Sequence, residues 1–160
     1  MQRRLLKLLS MSPAVSFAIF AAGLFAVTSP AYAGSAETTS LNFVEHATTD
    51  TVTDTGAKGD SVGDLLTFAN EVFDEKDAQK VGSSTGWCIR TAAGKSWECF
   101  WTLMLADGQI TVAGPFLDAG DSVLAVTGGT GKYAGARGEM ALHARDAKGS
   151  AYDFKYSLIK

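Results

Sequence analysis

The residues best able to do chemistry are polar ones set inside otherwise apolar stretches: Glu45, Asn70, Arg90, Arg137 and Glu139. A carboxylate aimed into a closed apolar space costs several kcal/mol unless it is paired or protonated. Each such group therefore sits on an outer face, in a salt bridge, or in a working site, and for any one taken alone the structural role is the commoner. His46 and His143 are far apart, and neither has a second His, Cys or Asp at ligand spacing, so no metal site is expected. Nothing resembles a nucleophile elbow. The run Gly128-Gly129-Thr130-Gly131-Lys132-Tyr133 fails as a phosphate loop: Val126 stands where glycine is needed, and Tyr133 stands where a hydroxyl should meet magnesium. Gly129-x-Gly131-x-x-Ala134 fits a loose dinucleotide fingerprint, but a strand follows it and no βαβ unit surrounds it. The glycines read instead as a tight turn between two strands.

Cys88 and Cys99 are the only cysteines. An oxidising compartment favours pairing them. They flank Ala92-Ala93-Gly94-Lys95, which reads as a hairpin turn. A turn centred between residues 93 and 94 sets the two cysteines directly opposite, close enough to bridge if the pair is not hydrogen-bonded.

The elements that must hold these residues follow a period of two, broken by glycine and aspartate turns. Leu41–Glu45 opens as a first strand, and residues 50–63, rich in Thr, Asp, Gly and Ser, read as a mobile loop. Residues 64–73 are dense enough in apolar side chains for a helix, but Thr67, Phe68, Phe73 and the flanking glycines favour a strand. Further strands are expected at 80–91, 96–105, 109–116, 122–127, 136–145 and 150–159. Eight short strands joined by short turns predict an all-β fold, a single antiparallel up-and-down β-barrel. Such a barrel fills its apolar lumen with side chains or holds one small ligand.

The first 33 residues read as an export signal. Arg3, Arg4 and Lys7 precede an apolar run from Ala14 to Val27, and Ala31-Tyr32-Ala33 supplies the small-x-small cleavage pattern. Pro13, Ser16 and Pro30 leave that run too short to span a bilayer core of roughly 30 Å. The expected organisation is a cleaved signal peptide over 1–33, a polar linker over 34–40 and a barrel domain over 41–160. The mature protein is expected outside the cytoplasm, with no stable membrane anchor. Cleavage removes three of the fourteen basic residues and none of the seventeen acids, leaving a net charge of −6. That charge, with no basic stripe, argues against a nucleic-acid partner.

Several of these segments resemble a known family. Gly63-Asp64-Leu65-Leu66-Thr67-Phe68-Ala69-Asn70, followed by Val81-Gly82 and Gly86-Trp87-Cys88, is similar to the second and third strands of plant allene oxide cyclases. Gly114-Pro115-Phe116-Leu117 and the glycine-rich run from Ala125 to Gly131 resemble later turns of those proteins. Dirigent proteins share the glycine turn and follow it with a triplet like Ala136-Arg137-Gly138. The resemblance spans about 115 residues, from Leu41 nearly to the end. It implies an eight-stranded barrel, usually trimeric, with an apolar pocket and no cofactor, acting on a small apolar reactive molecule. Allene oxide cyclases close a ring in a fatty-acid epoxide, and dirigent proteins steer coupling or cyclisation of phenolic intermediates.

By that resemblance Leu66, Phe68, Cys88, Trp97 and Phe116 are expected to line the pocket. Glu45 would stabilise developing positive charge, Asn70 would orient a carbonyl, epoxide or water, and Arg137 would face the pocket as in dirigent proteins. Two departures weigh against a simple transfer of activity. Ala47 stands where the cyclases have an asparagine of a water-holding group, and Cys99 offers Cys88 a partner that would turn a pocket thiol into a staple. The alternative to a cyclase is a lipocalin-like barrel that binds a small apolar ligand without converting it. A third reading is a structural barrel whose lumen is filled by Trp97, Phe100, Trp101 and Met104.

Overall fold

The computed structural model describes residues 37–159. The leader expected over 1–33 and the start of the linker lie outside the described residues. Nine strands follow in order: β1 (Thr38–His46), β2 (Thr51–Thr53), β3 (Leu65–Asp74), β4 (Lys80–Ala92) and β5 (Ser96–Leu105). They continue as β6 (Gly108–Leu117), β7 (Ser122–Gly131), β8 (Arg137–Ala144) and β9 (Ala151–Ile159). From β3 to β9 each strand pairs antiparallel with the next. β1 lies between β9 and β3 and closes the barrel at eight strands, while β2 adds to the free length of β3. The closed antiparallel all-β barrel is the architecture that the alternation predicts, and closure leaves no long unpaired edge.

Alternation decides what enters the lumen. On β5, Trp97, Cys99, Trp101 and Leu103 are buried, whereas the intervening Glu98 and Phe100 are exposed. Val72 from β3, Ile110 and Val112 from β6, Leu124 from β7, Met140 from β8 and Phe154 with Tyr156 from β9 complete a core almost free of solvent contact. Residues 64–73 form strand β3 from Leu65 onward, so their density of apolar residues reflects a wall of the barrel and not a helix.

Three local features depart from the sequence expectation. β1 starts at Thr38, three residues early, because Thr38–Ser40 pair with Ser157–Ile159. The stretch 50–63 is not wholly loop, since Thr51–Thr53 pair with Leu65–Thr67. His46 pairs with Glu71 and Thr51 with Thr67, so residues 47–50 stand opposite 68–70, one residue too many. β1 and β2 are in effect one strand interrupted by a bulge. Finally, Gly128–Gly131 are not the turn itself. They continue β7 against Gly108–Thr111 after a register shift, and the turn follows at 132–136.

The β4–β5 hairpin shows how register is set. The loop is three residues long, with Gly94 in the left-handed region at φ 63° and Lys95 N donating to Ala92 O at 3.0 Å. Its centre is therefore one half-step beyond the expected position. A bulge between Arg90 and Ala92 takes up the difference, and Cys88 stands directly opposite Cys99. The two form a disulfide with Cα atoms 4.0 Å apart.

Candidate active site

The end of the barrel carrying the 47–64, 93–95, 118–121 and 145–150 connections holds a lumen pocket of about 130 Å³. Its walls are aromatic: Phe68, Trp101, Phe116, Tyr152 and Phe154. Phe154 stacks on Trp101 at 5.8 Å between ring centroids, and Phe68 meets Trp101 edge-on at 6.0 Å. Gly86 makes room for this arrangement, since a Cβ there would lie 2.3 Å from that of Trp101 and 2.4 Å from the Phe100 carbonyl. Leu66, Leu142 and the Cys88–Cys99 bridge complete the apolar lining. A rim cleft of about 400 Å³ shares Phe116, Leu142 and Tyr152 with the pocket and extends it over Asp118, Asp146 and Lys148.

Against this apolar wall stand Glu45, Asp50 and Asn70. Glu45 is 5% exposed, and its side chain accepts a hydrogen bond from the Ser84 hydroxyl. Burial pushes its carboxyl up from the usual 4.5 to about 7. The Ser84 and Asn70 hydrogen bonds oppose that rise, and the Asp50 charge adds to it. The Tyr152 hydroxyl is pushed up to about 12, first by burial and then by the Asp50 and Glu45 charges. Burial also holds Tyr156 protonated, with the neighbouring Glu45 acting in the same sense. The site sets a proton-holding carboxyl, Glu45, beside a second acid, Asp50, in surroundings that favour neutral groups.

Asn70 explains how that pair is held. Its Oδ1 accepts hydrogen bonds from Thr48 N at 3.1 Å, Thr49 N at 3.0 Å and Thr49 Oγ1 at 2.9 Å. Its Nδ2 donates to Asp50 Oδ1 at 2.7 Å. The side chain thus satisfies the backbone donors freed by the 47–50 bulge and ties down the carboxylate that follows. With its carbonyl oxygen saturated by the loop, Asn70 positions Glu45 and Asp50, the latter through its amide.

Of the remaining candidates, Leu66, Phe68, Cys88 and Phe116 line the pocket together with Glu45 and Asn70. Cys88 does so as half of a disulfide and has no thiol to offer. Trp97 is buried but is not in the pocket lining. It lies under Arg90, whose guanidinium sits 3.9 Å above its ring. Arg90 in turn contacts both oxygens of Asp118 at 2.6 and 2.7 Å, and its Nε lies 2.6 Å from Asp60 Oδ1. This strap joins the 54–64 loop to the 118–121 turn over that part of the barrel end. Arg137 is not brought to the pocket at all: on β8 the buried residues are Met140 and Leu142, so the odd positions Arg137 and Glu139 face outward.

Sequence reasoning missed Asp50, Ser84, Tyr152 and Trp101 as site residues. Asp50 was hidden in a stretch that reads as loop. Ser84 carried a usable signal, since it shares the inward face of β4 with Gly86 and Cys88 at intervals of two. Among the described residues no group of three or more His, Cys, Asp or Glu side chains could hold a metal ion.

Residues 40–154 match the allene oxide cyclase family. The chain belongs to that family. Three solved structures have the same fold. A pyocyanin demethylase is 25% identical with a TM-score of 0.62, over 72% of this chain and 98% of that one. A pterocarpan synthase dirigent protein is 16% identical with a TM-score of 0.62, over 77% and 94% of the two chains. An exo-specific intermolecular Diels–Alderase is 16% identical with a TM-score of 0.61, over 78% and 99%. The last two likenesses speak to the fold alone. Allene oxide cyclase membership places this chain with cyclase-type isomerases at a coarse level.

Proposed function

We propose that the protein binds a small, flat, reactive molecule in the barrel lumen and steers its cyclisation or isomerisation with its own side chains. The observation that carries this reading is Glu45, a carboxyl held near neutrality on the wall of an aromatic pocket. A group with that pKa exchanges its proton with a bound substrate at neutral pH. After donating, its carboxylate faces the positive charge that develops in the substrate, and recovery of the proton leaves both protein and redox state unchanged. The aromatic walls hold one ring in one orientation, which in favourable intramolecular cases supplies roughly 7–11 kcal/mol of a barrier. Glu45→Gln keeps the shape and removes the proton. The expected outcome is a fall in turnover of about 10²- to 10⁴-fold with ligand binding retained. Unchanged turnover would sink the assignment.

Export and self-association belong to the same proposal. The leader signature and a disulfide inside the barrel fit an oxidising compartment, and the family resemblance implies a trimer. A second reading, a binding barrel that returns its ligand unchanged, is favoured by the closed Cys88–Cys99 bridge and the modest 130 Å³ void. Recovery of an unaltered ligand from a protein with no turnover on any bound compound would support it.

A further inference from the structure

The charge pattern of the pocket narrows the class of molecule it takes. Among the described residues, none of the side chains lining the lumen pocket is Lys, Arg or His, whereas Glu45 and Asp50 both line it. The nearest buried cation, Arg90, is already engaged by Asp60 and Asp118 and stacked on Trp97. At the rim cleft Lys148 is the single cationic side chain among the described residues, and Asp118 and Asp146 line the same cleft. A bound carboxylate or phosphate would therefore meet two acids and no partner in the lumen, a costly burial. A cation would instead lie among the Trp101, Phe154 and Phe68 rings, with the Asp50 carboxylate in the same lining as counter-charge.

We propose that the site selects a flat aromatic cation, a quaternised or protonated nitrogen heterocycle, in preference to a neutral or anionic ring of the same shape. The size of the site sets the fit. A void near 150 Å³ holds about one benzene ring. A lumen of about 130 Å³ therefore takes one ring of a fused pair, and the rim cleft over Phe116 and Tyr152 receives the second. Asp50 is the specificity residue in this arrangement. Asn70 holds its carboxylate at the pocket wall, where it acts on the charge of the ligand without touching its shape. The inference rests on the reading of the lumen as a substrate site and adds its charge preference.

Three probes of matched shape test it by Trp fluorescence quenching and calorimetry, on purified protein with the disulfide intact: N-methylquinolinium, 1-methylnaphthalene and 1-naphthoate. The expected result is that the cation binds about tenfold or more tightly than the neutral ring, with naphthoate weakest. Asp50→Asn, which keeps an oxygen to accept from Asn70, should remove most of that preference while leaving 1-methylnaphthalene binding unchanged. Glu45→Gln provides a second variant and should reduce the preference less at pH 6, where Glu45 is largely neutral, than at pH 8. Equal affinities, preference for naphthoate, failure of the cation to bind a folded protein, or a preference that survives Asp50→Asn would each overturn the inference. No turnover is read here. Cation selection without any conversion counts against the cyclase reading alone, and turnover of an anionic substrate by a protein that ignores the cation counts against the charge preference alone.

Discussion

At the scale of single residues, Glu45 costs the protein stability for the sake of a poised proton. Its pKa is about 7 in the folded state and about 4.5 once exposed. Between those values the folded protein binds one more proton than the unfolded chain. Stability is therefore highest below about 4.5 on this account and falls as pH rises through 7, by roughly 3 kcal/mol in all. The tyrosines facing Glu45 do not reverse the sign, because burial pushes the Tyr152 and Tyr156 hydroxyls up and keeps both protonated through that window. Thermal melts from pH 5 to 8 should show this slope in the native protein and its loss in Glu45→Gln, which should also be the more stable of the two at pH 8. Equal slopes would show that Glu45 does not carry the proton. Asn70→Ala makes the complementary test. It strands the Thr49 amide, leaves the Thr48 amide only its 2.9 Å bond to the His46 carbonyl and frees Asp50, at a cost of about 1–2 kcal/mol. Hydrogen exchange should speed at those two amides first, and a cyclase assay should lose rate even where the variant remains folded. Retained protection at both amides would rule out the positioning role.

Elements enter through two irregularities that the strands tolerate because the site needs them. The bulge at residues 47–50 breaks the β1–β2 edge beside Asn70 and turns Asp50 into the pocket mouth. A regular ladder would have spent those backbone groups on β3 and left no carboxylate there. The bulge near Thr91 restores the register of the β4–β5 hairpin, which is what lets Cys88 and Cys99 meet. The bridge spans a separation of 11 residues, a short loop whose closure contributes about 2–3 kcal/mol. Replacing both cysteines by alanine should lower the urea midpoint and, by releasing the unfolded chain, slightly steepen the slope. It should also widen the pocket at Cys88 and Cys99 and so weaken binding of a single ring. A midpoint unchanged in the double variant would show that the barrel register does not depend on the bridge.

The whole molecule presents an outer face that its own core does not use. Trp87, Ile89 and Phe100 are exposed large apolar side chains on β4 and β5, and the two aromatic rings lie 6.4 Å apart between centroids. Contiguous exposed apolar area of this kind marks an interaction surface. We propose that self-association, as the resemblance implies, buries it. Native mass measurement of protein recovered from the medium or periplasm reads two expectations together: a chain beginning at Gly34, and an assembly of three. Trp87→Glu should leave the pocket untouched and shift the assembly to monomer. A monomeric native protein, or one retaining residues 1–33, would remove the corresponding part of the proposal.

The barrel was legible in the amino-acid sequence because a half-buried strand writes its orientation into every second residue. Trp97-x-Cys99-x-Trp101-x-Leu103 faces inward wherever β5 is placed, and glycine-containing turns mark where strands end. Glu45 and Asn70 stood out as polar residues inside apolar stretches, with a place in the pocket implied only by the family resemblance, and Cys88 with Cys99 through the near-symmetry of their hairpin. Other features depended on the tertiary structure because they depend on register between distant segments. Asp50 lies 20 residues from Asn70 and becomes a site residue only when a one-residue bulge brings it there. Ser84 meets Glu45 across 39 residues and a neighbouring strand. Arg137, one residue out of phase with Met140 and Leu142, is turned to solvent by the same alternation that makes the barrel readable. The periodicity of a strand is local, whereas the pKa of a carboxyl is the sum of whatever closure of the sheet packs around it.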